Sequence, residues 1–137
     1  MHYAGDISAK EAWKMLMLDS NAALVDVRTF AEINFVGVPD LYELGKQTIW
    51  VEWQNFPEGK NNPIFAQELE PHISSSSDIL FLCRSGSRSR NAAILMSEAG
   101  FKNCYNISDG FEGTLDQESH RNNLNGWKSS GLPWKQS

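Results

Sequence analysis

One segment of this 137-residue chain concentrates side chains that can do chemistry. Cys83-Arg84-Ser85-Gly86-Ser87-Arg88-Ser89-Arg90 follows directly on the apolar run Ile79-Leu80-Phe81-Leu82. A thiol at the exit of a buried strand, followed by residues small enough for backbone N–H groups to converge on one point, makes an anion cradle. The helix that opens behind it adds free N–H groups and the positive end of its dipole. Positive potential there favours the thiolate, which is the nucleophile. Arg84, Arg88 and Arg90 are three of the five arginines in the chain, and no acid falls between Asp78 and Glu98. Cations in a first helical turn oppose the macrodipole unless an anion or thiolate compensates, so the pattern points to a site. A lone cysteine is more often an inert core residue. Cys104 reads that way, and the loop sets Cys83 apart.

The elements that must position this loop follow from periodicity. Ser8 and Glu11 read as a capping box for a helix over about 8–19, with Ala12, Met15 and Leu16 at helical spacing. Ala23-Leu24-Val25-Asp26-Val27 is a short buried strand, and Thr48 to Glu52 is a second. A loop over 57–62 leads to a helix over about 63–73. After the serine linker 74–77, the strand 79–82 delivers Cys83, and a helix over 88–99 ends at Gly100 as its C′ glycine, with Phe101 packing back. Cys104-Tyr105-Asn106-Ile107 is a further strand, followed by a turn over 108–113. The alternation implies an α/β domain with a mainly parallel sheet, whose ligands bind beyond the C-terminal strand ends. The segments 38–63 and 112–126 carry no sustained periodic pattern.

Composition bounds the partners. With 41% hydrophobic and 21% charged residues the chain is globular, and at this length one domain over 1–137 buries enough surface to need no disulfide or structural metal. A net charge of −5 disfavours nucleic acid and anionic membrane as partners of the overall field. The two cysteines form no C-x-x-C pair, and His2, His72 and His120 have no ligand spacing, so no metal is expected. Charged residues interrupt every apolar run of the first 20 residues, no later stretch approaches the length of a membrane span, and a cytoplasmic location is expected.

The loop Cys83 to Ser89 resembles the active-site loop of the rhodanese sulfurtransferases. Asp26-Val27-Arg28 with Glu32 resembles that family's first strand end, and Trp127 with Gly131-Leu132-Pro133 its C-terminal signature. Two stretches depart from the pattern. Gly37-Val38-Pro39-Asp40 stands where the family has Gly-His-Ile-Pro-Gly-Ala, and Asp109-Gly110 stands where paired glycines are usual. The resemblance implies an α/β, three-layer rhodanese-like domain with a mainly parallel central sheet flanked by helices. It also implies a thiosulfate sulfurtransferase with Cys83 as the catalytic persulfide carrier and no cofactor. Arg84 and Arg88 would hold the anionic end of a thiosulfate-like donor, and the N–H groups of Arg84, Ser85, Gly86, Ser87, Arg88 and Ser89 would stabilise charge on sulfur. The acceptor would be a thiol or cyanide-like nucleophile, a protein thiol included. Asp26 and Arg28 are expected to secure the strand end through an ion pair with their surroundings or with Glu32.

Two other readings compete. Phosphatases and arsenate reductases on this fold place five residues between cysteine and arginine, whereas four separate Cys83 from Arg88. A non-catalytic module binding anions or partners would typically lack the cysteine. Trp50 and Trp53, either side of Glu52, are further candidates to wall a pocket, against the plainer reading that all five tryptophans fill the core.

Overall fold

The computed structural model describes residues 3–136; His2 lies outside them. The strands are β1 (Gly5–Ile7), β2 (Ala23–Asp26), β3 (Val38–Pro39), β4 (Ile49–Trp50), β5 (Ile79–Leu82), β6 (Cys104–Ile107) and β7 (Trp134–Lys135). The helices are α1 (Ala9–Leu18), α2 (Phe30–Val36), α3 (Phe65–Leu69) and α4 (Ser87–Glu98). The central sheet has five strands in the order β1-β6-β5-β2-β4, and every pairing in it is parallel. β3 and β7 form a separate antiparallel pair.

The sheet is covered on both faces, which makes three layers. Side chains alternate along β5: Ile79 and Phe81 pack with Ala92, Ala93 and Met96 of α4 and with Phe65 and Leu69 of α3. Leu80 and Leu82 pack with Ala9, Ala12 and Leu16 of α1 and with Phe111 and Trp127. Burial on both sides is why this strand is apolar without interruption. The same alternation aims Cys83 at the α4 face, where it joins the first of these clusters.

Several boundaries follow from local chemistry. Ser8 caps α1 through the expected box: its hydroxyl accepts from the Glu11 N–H, and the Glu11 carboxylate accepts from the Ser8 N–H. Past the end of α4, after its C-cap Ala99, Gly100 takes φ +106°, and the Phe101 N–H returns to the Met96 carbonyl at 3.0 Å. The expected helix over 63–73 is shorter, because α3 passes at Glu70–His72 into a 3-10 turn that contains Pro71. α2 was not expected. It is set by a second capping box, Thr29 with Glu32.

At the exit of β2 lies a fully buried ion pair. Arg28 Nε and Nη2 both reach the Asp26 carboxylate, at 2.9 and 2.7 Å, and Nη2 also donates to the Gly37 carbonyl at 2.7 Å. The guanidinium lies 4.2 Å from the centre of the Phe111 ring, so the strand end is tied to the C-terminal segment. Arg28 therefore pairs with Asp26 alone; the alternative partner, Glu32, is engaged elsewhere. Removing one member of a buried pair strands the other charge. Asp26→Ala is expected to cost about 3–5 kcal/mol of stability, read from the urea midpoint. A loss below about 1 kcal/mol, the range of surface pairs, would contradict the buried-pair account.

Candidate active site

Cys83 is 2% exposed and sits at the floor of its loop. Its Sγ accepts the Gly86 N–H at 3.1 Å and lies 3.2 Å from the Ser89 hydroxyl. Gly86 precedes α4 with φ +107°, and a Cβ there would collide with the Ser108 carbonyl. Gly110 is under the same constraint from the other side, because a Cβ would strike the Arg84 carbonyl. Between these contacts the Phe111 N–H donates to the Cys83 carbonyl at 2.8 Å and the Glu112 N–H to the Arg84 carbonyl at 3.0 Å. The turn after β6 thus holds the backbone of the cysteine loop from below. Asp109, in place of a paired glycine, accepts from the Ala9 N–H at 2.8 Å and the Gly126 N–H at 3.1 Å, fastening α1 to the C-terminal segment.

Unlike α1 and α2, α4 has no side-chain cap and no acid in its first turn. Its opening N–H groups and dipole face the loop. A cleft of about 620 Å³ adjoins the loop, lined by its Arg84 and Arg88 while Cys83 itself is not among the lining residues. The cations of the cleft are Arg84, Arg88 and Arg121, its acids Glu32 and Glu112, and Phe35 and Phe56 contribute apolar wall.

The expected site residues differ in exposure, with Gly86 buried and Ser85 half-buried in the loop. Arg84 is exposed in the cleft, and Ser87 is exposed at the helix start. Arg88 is not free: its two Nη atoms donate to the Glu32 carboxylate at 2.7 and 2.9 Å. Burial works to raise the Glu32 pKa, but the Arg88 bonds and charge outweigh it and hold the group at about 2. Arg88 is pushed up in turn, first by the bond to Glu32, against burial, with smaller help from Cys83 and Asp26. Ser89 is buried beneath the sulfur, so its hydroxyl serves the thiol from behind and does not touch a donor in the cleft. Arg90 is exposed on α4.

Other expectations fall outside the site. Trp53 packs edge-on against Phe65 in the core, and Trp50 lines a different cleft of about 350 Å³ together with Asp40, Tyr42 and Lys135. Cys104 is 0% exposed, and burial pushes its thiol up to about 11. Among the described residues no group of His, Cys, Asp and Glu could hold a metal, and no helix is long and apolar enough to cross a membrane.

Arg121 is a cleft residue the sequence reading missed. Its segment is ordered by bonds without periodicity: Asp116 accepts from the Glu118 and His120 N–H groups at 2.9 Å, and Arg121 Nη1 donates to the Gly113 carbonyl at 2.7 Å. Asn106 was also missed as part of the site. A polar side chain in the middle of an apolar strand was the available signal.

Comparison with known proteins gives the family and the fold. The family described as STR4 middle domain matches residues 4–137. An uncharacterized protein of Rickettsia conorii is 42% identical over 130 residues, covering 95% of this chain and 96% of that one. Rhodanese-like domain-containing protein 4, chloroplastic, of Arabidopsis thaliana is 32% identical over 129 residues; the match covers 93% of this chain and 25% of that protein. The crystal structure of Rv0390 from M. tuberculosis superposes with a TM-score of 0.92 at 49% identity, covering 99% of this chain and 100% of that one. A polysulfide-sulfur transferase of Wolinella succinogenes shares the fold at 21% identity, TM-score 0.64, over 96% and 78% of the two chains. The chain belongs to the STR4 middle domain family, among the rhodanese-like proteins.

The Glu32–Arg88 pair carries a pH signature. With its pKa held at about 2 against an ordinary 4.5, Glu32 adds stability that is complete above 4.5 and lost as pH falls through 2. Glu32→Gln should lower stability at neutral pH and flatten the acid side of the curve in that window, the two proteins converging at the lowest pH. Thermal midpoints taken across the window check it, and parallel curves for the two proteins would contradict it.

Proposed function

We propose that the chain is a sulfurtransferase in which Cys83 carries a sulfane sulfur between a thiosulfate-like donor and a nucleophilic acceptor. The observation that supports this most is the Cys83 sulfur itself, held in its loop by the Gly86 N–H, beside an uncapped helix start and next to a cleft lined by Arg84, Arg88 and Arg121.

In the first half-reaction the Cys83 thiolate attacks the outer sulfur of thiosulfate. The sulfur–sulfur bond breaks, sulfite leaves with the bonding electrons, and a Cys83 persulfide remains. In the second, an acceptor thiolate or cyanide attacks the outer sulfur and the Cys83 thiolate departs, giving an acceptor persulfide or thiocyanate. The loop N–H groups and the α4 dipole stabilise charge on sulfur in both steps. Arg84, whose side chain stands free in the cleft, meets the anionic end of the donor, and Arg121 adds positive potential across the same space. Arg88 acts through Glu32 by fixing the start of α4 against α2.

Two experiments follow. Cys83→Ser should abolish sulfur transfer, Cys104→Ser should retain most of it, and initial rates against both substrates should give the parallel lines of a ping-pong scheme. Comparable loss in the Cys104 variant, or intersecting lines, would contradict a single persulfide carrier. Inserting one glycine after Gly86 leaves the strand and helix intact but moves the N–H groups that must converge on sulfur. A displacement of about 1 Å is expected to cost on the order of a hundredfold in rate. Full activity in the folded insertion variant would show that loop length does not select sulfur over the larger phosphoryl group.

A further inference from the structure

Behind Cys83 a line of hydrogen bonds leaves the site on the side away from the cleft. The Sγ lies 3.2 Å from Ser89 Oγ, Ser89 Oγ is 2.6 Å from Asn106 Oδ1, and Asn106 Nδ2 donates to Asp6 Oδ1 at 3.0 Å. The Tyr3 hydroxyl donates to the same Asp6 oxygen at 2.8 Å. Ser89 and Asn106 are 0% exposed, whereas Asp6 is exposed on β1, the edge strand beyond β6. The Cys83 sulfur is thereby connected through β6 to a surface carboxylate on β1.

The direction of every bond in this line is set from its outer end. An ionised carboxylate has no proton to give, so Asp6 accepts from both neighbours. That turns the Asn106 amide with Nδ2 toward Asp6 and its carbonyl oxygen toward Ser89. Ser89 has a single proton and spends it on that oxygen. What Ser89 presents to sulfur is a lone pair, which receives the S–H of a thiol and offers nothing to a thiolate. Among the described residues the Gly86 N–H is then the one hydrogen-bond donor that reaches the Sγ itself, the other loop N–H groups lying further out.

We propose that Asp6 and Asn106 are positioning residues for the Cys83 reaction: through Ser89 they set which way the innermost hydrogen bond to the sulfur points. With Asp6 charged, the line is locked in the sense that favours the resting thiol. With a neutral group in its place the amide can turn over, Nδ2 can donate to Ser89, and Ser89 can give its proton to the thiolate. The other charged groups around the line are fixed in both states. Arg88 faces Cys83, with Glu32 and Asp26 behind it, while Arg90 acts on Tyr3. Burial, then the bond to Asp6, push the Tyr3 phenol up, so it remains a donor.

The test is the pH-rate profile of iodoacetamide alkylation of Cys83, followed by peptide mass with no sulfur donor present. The inference rests on Cys83 being the reacting thiol, and this readout separates the two. Asp6→Asn should speed Cys83 alkylation at neutral pH by about threefold to tenfold, the worth of one hydrogen bond, and move the profile toward lower pH. The gain should vanish when Ser89→Ala is added, because the line is then cut, and Cys104 should stay equally unreactive in every variant. An Asp6→Asn rate equal to or below wild type, or a gain that survives Ser89→Ala or is shared by Cys104, overturns the inference alone. A wild-type Cys83 no more reactive than Cys104 overturns the sulfurtransferase reading and this inference with it.

Discussion

The site depends on how closely two loops approach each other. The backbone leaving β5 and the backbone leaving β6 meet where neither can carry a side chain: Gly86 lies against the Ser108 carbonyl and Gly110 against that of Arg84. Hydrogen bonds from Phe111 and Glu112 to the Cys83 and Arg84 carbonyls close the contact. The Phe111 ring is in turn held by the buried Arg28, neutralised by Asp26. The orientation of the cysteine is thus determined by residues on β2 and in the C-terminal segment as much as by its own loop. Rigid support of this kind is what a nucleophile requires, since its attack geometry must be paid for before the substrate arrives.

Electrostatics around the loop are divided between two jobs. Arg88 near the α4 start would oppose the helix dipole, and Glu32, 56 positions away in sequence, offsets it with two short bonds. Arg84 and Arg121 remain to give the cleft its positive character in a chain whose net charge is −5. A local basic cleft on an acidic molecule draws small anions to one place without drawing polyanions to the whole surface.

Much of this was legible in the residues. The Ser8–Glu11 box, the uninterrupted Ile79–Leu82 run and Gly100 each act over a few positions, and short-range chemistry is visible in a linear text. Thr29 and Glu32 spell the same box, yet α2 behind them has no buried residue and so no apolar stripe to announce it. Within 38–63 the strand read over Thr48 to Glu52 is present as β4 at Ile49–Trp50, whereas β3 escaped because it is two residues long and pairs with β7, distant in sequence. The partner of Glu32 was open to error for a related reason. Arg28 is near in sequence, but a capping box faces Glu32 away from it and toward α4. Ser89 belongs to the loop motif by position, but helical geometry turns it inward to the sulfur and Asn106.

The central claim is that Cys83 carries sulfur covalently, and the mass of the intact protein tests it most directly. After brief treatment with thiosulfate and removal of excess reagent, the wild-type chain should gain the mass of one sulfur atom. The gain should disappear on addition of cyanide, be absent in Cys83→Ser, and persist in Cys104→Ser. A wild-type chain that turns over thiosulfate with no added mass, or a gain retained in Cys83→Ser, would contradict the account.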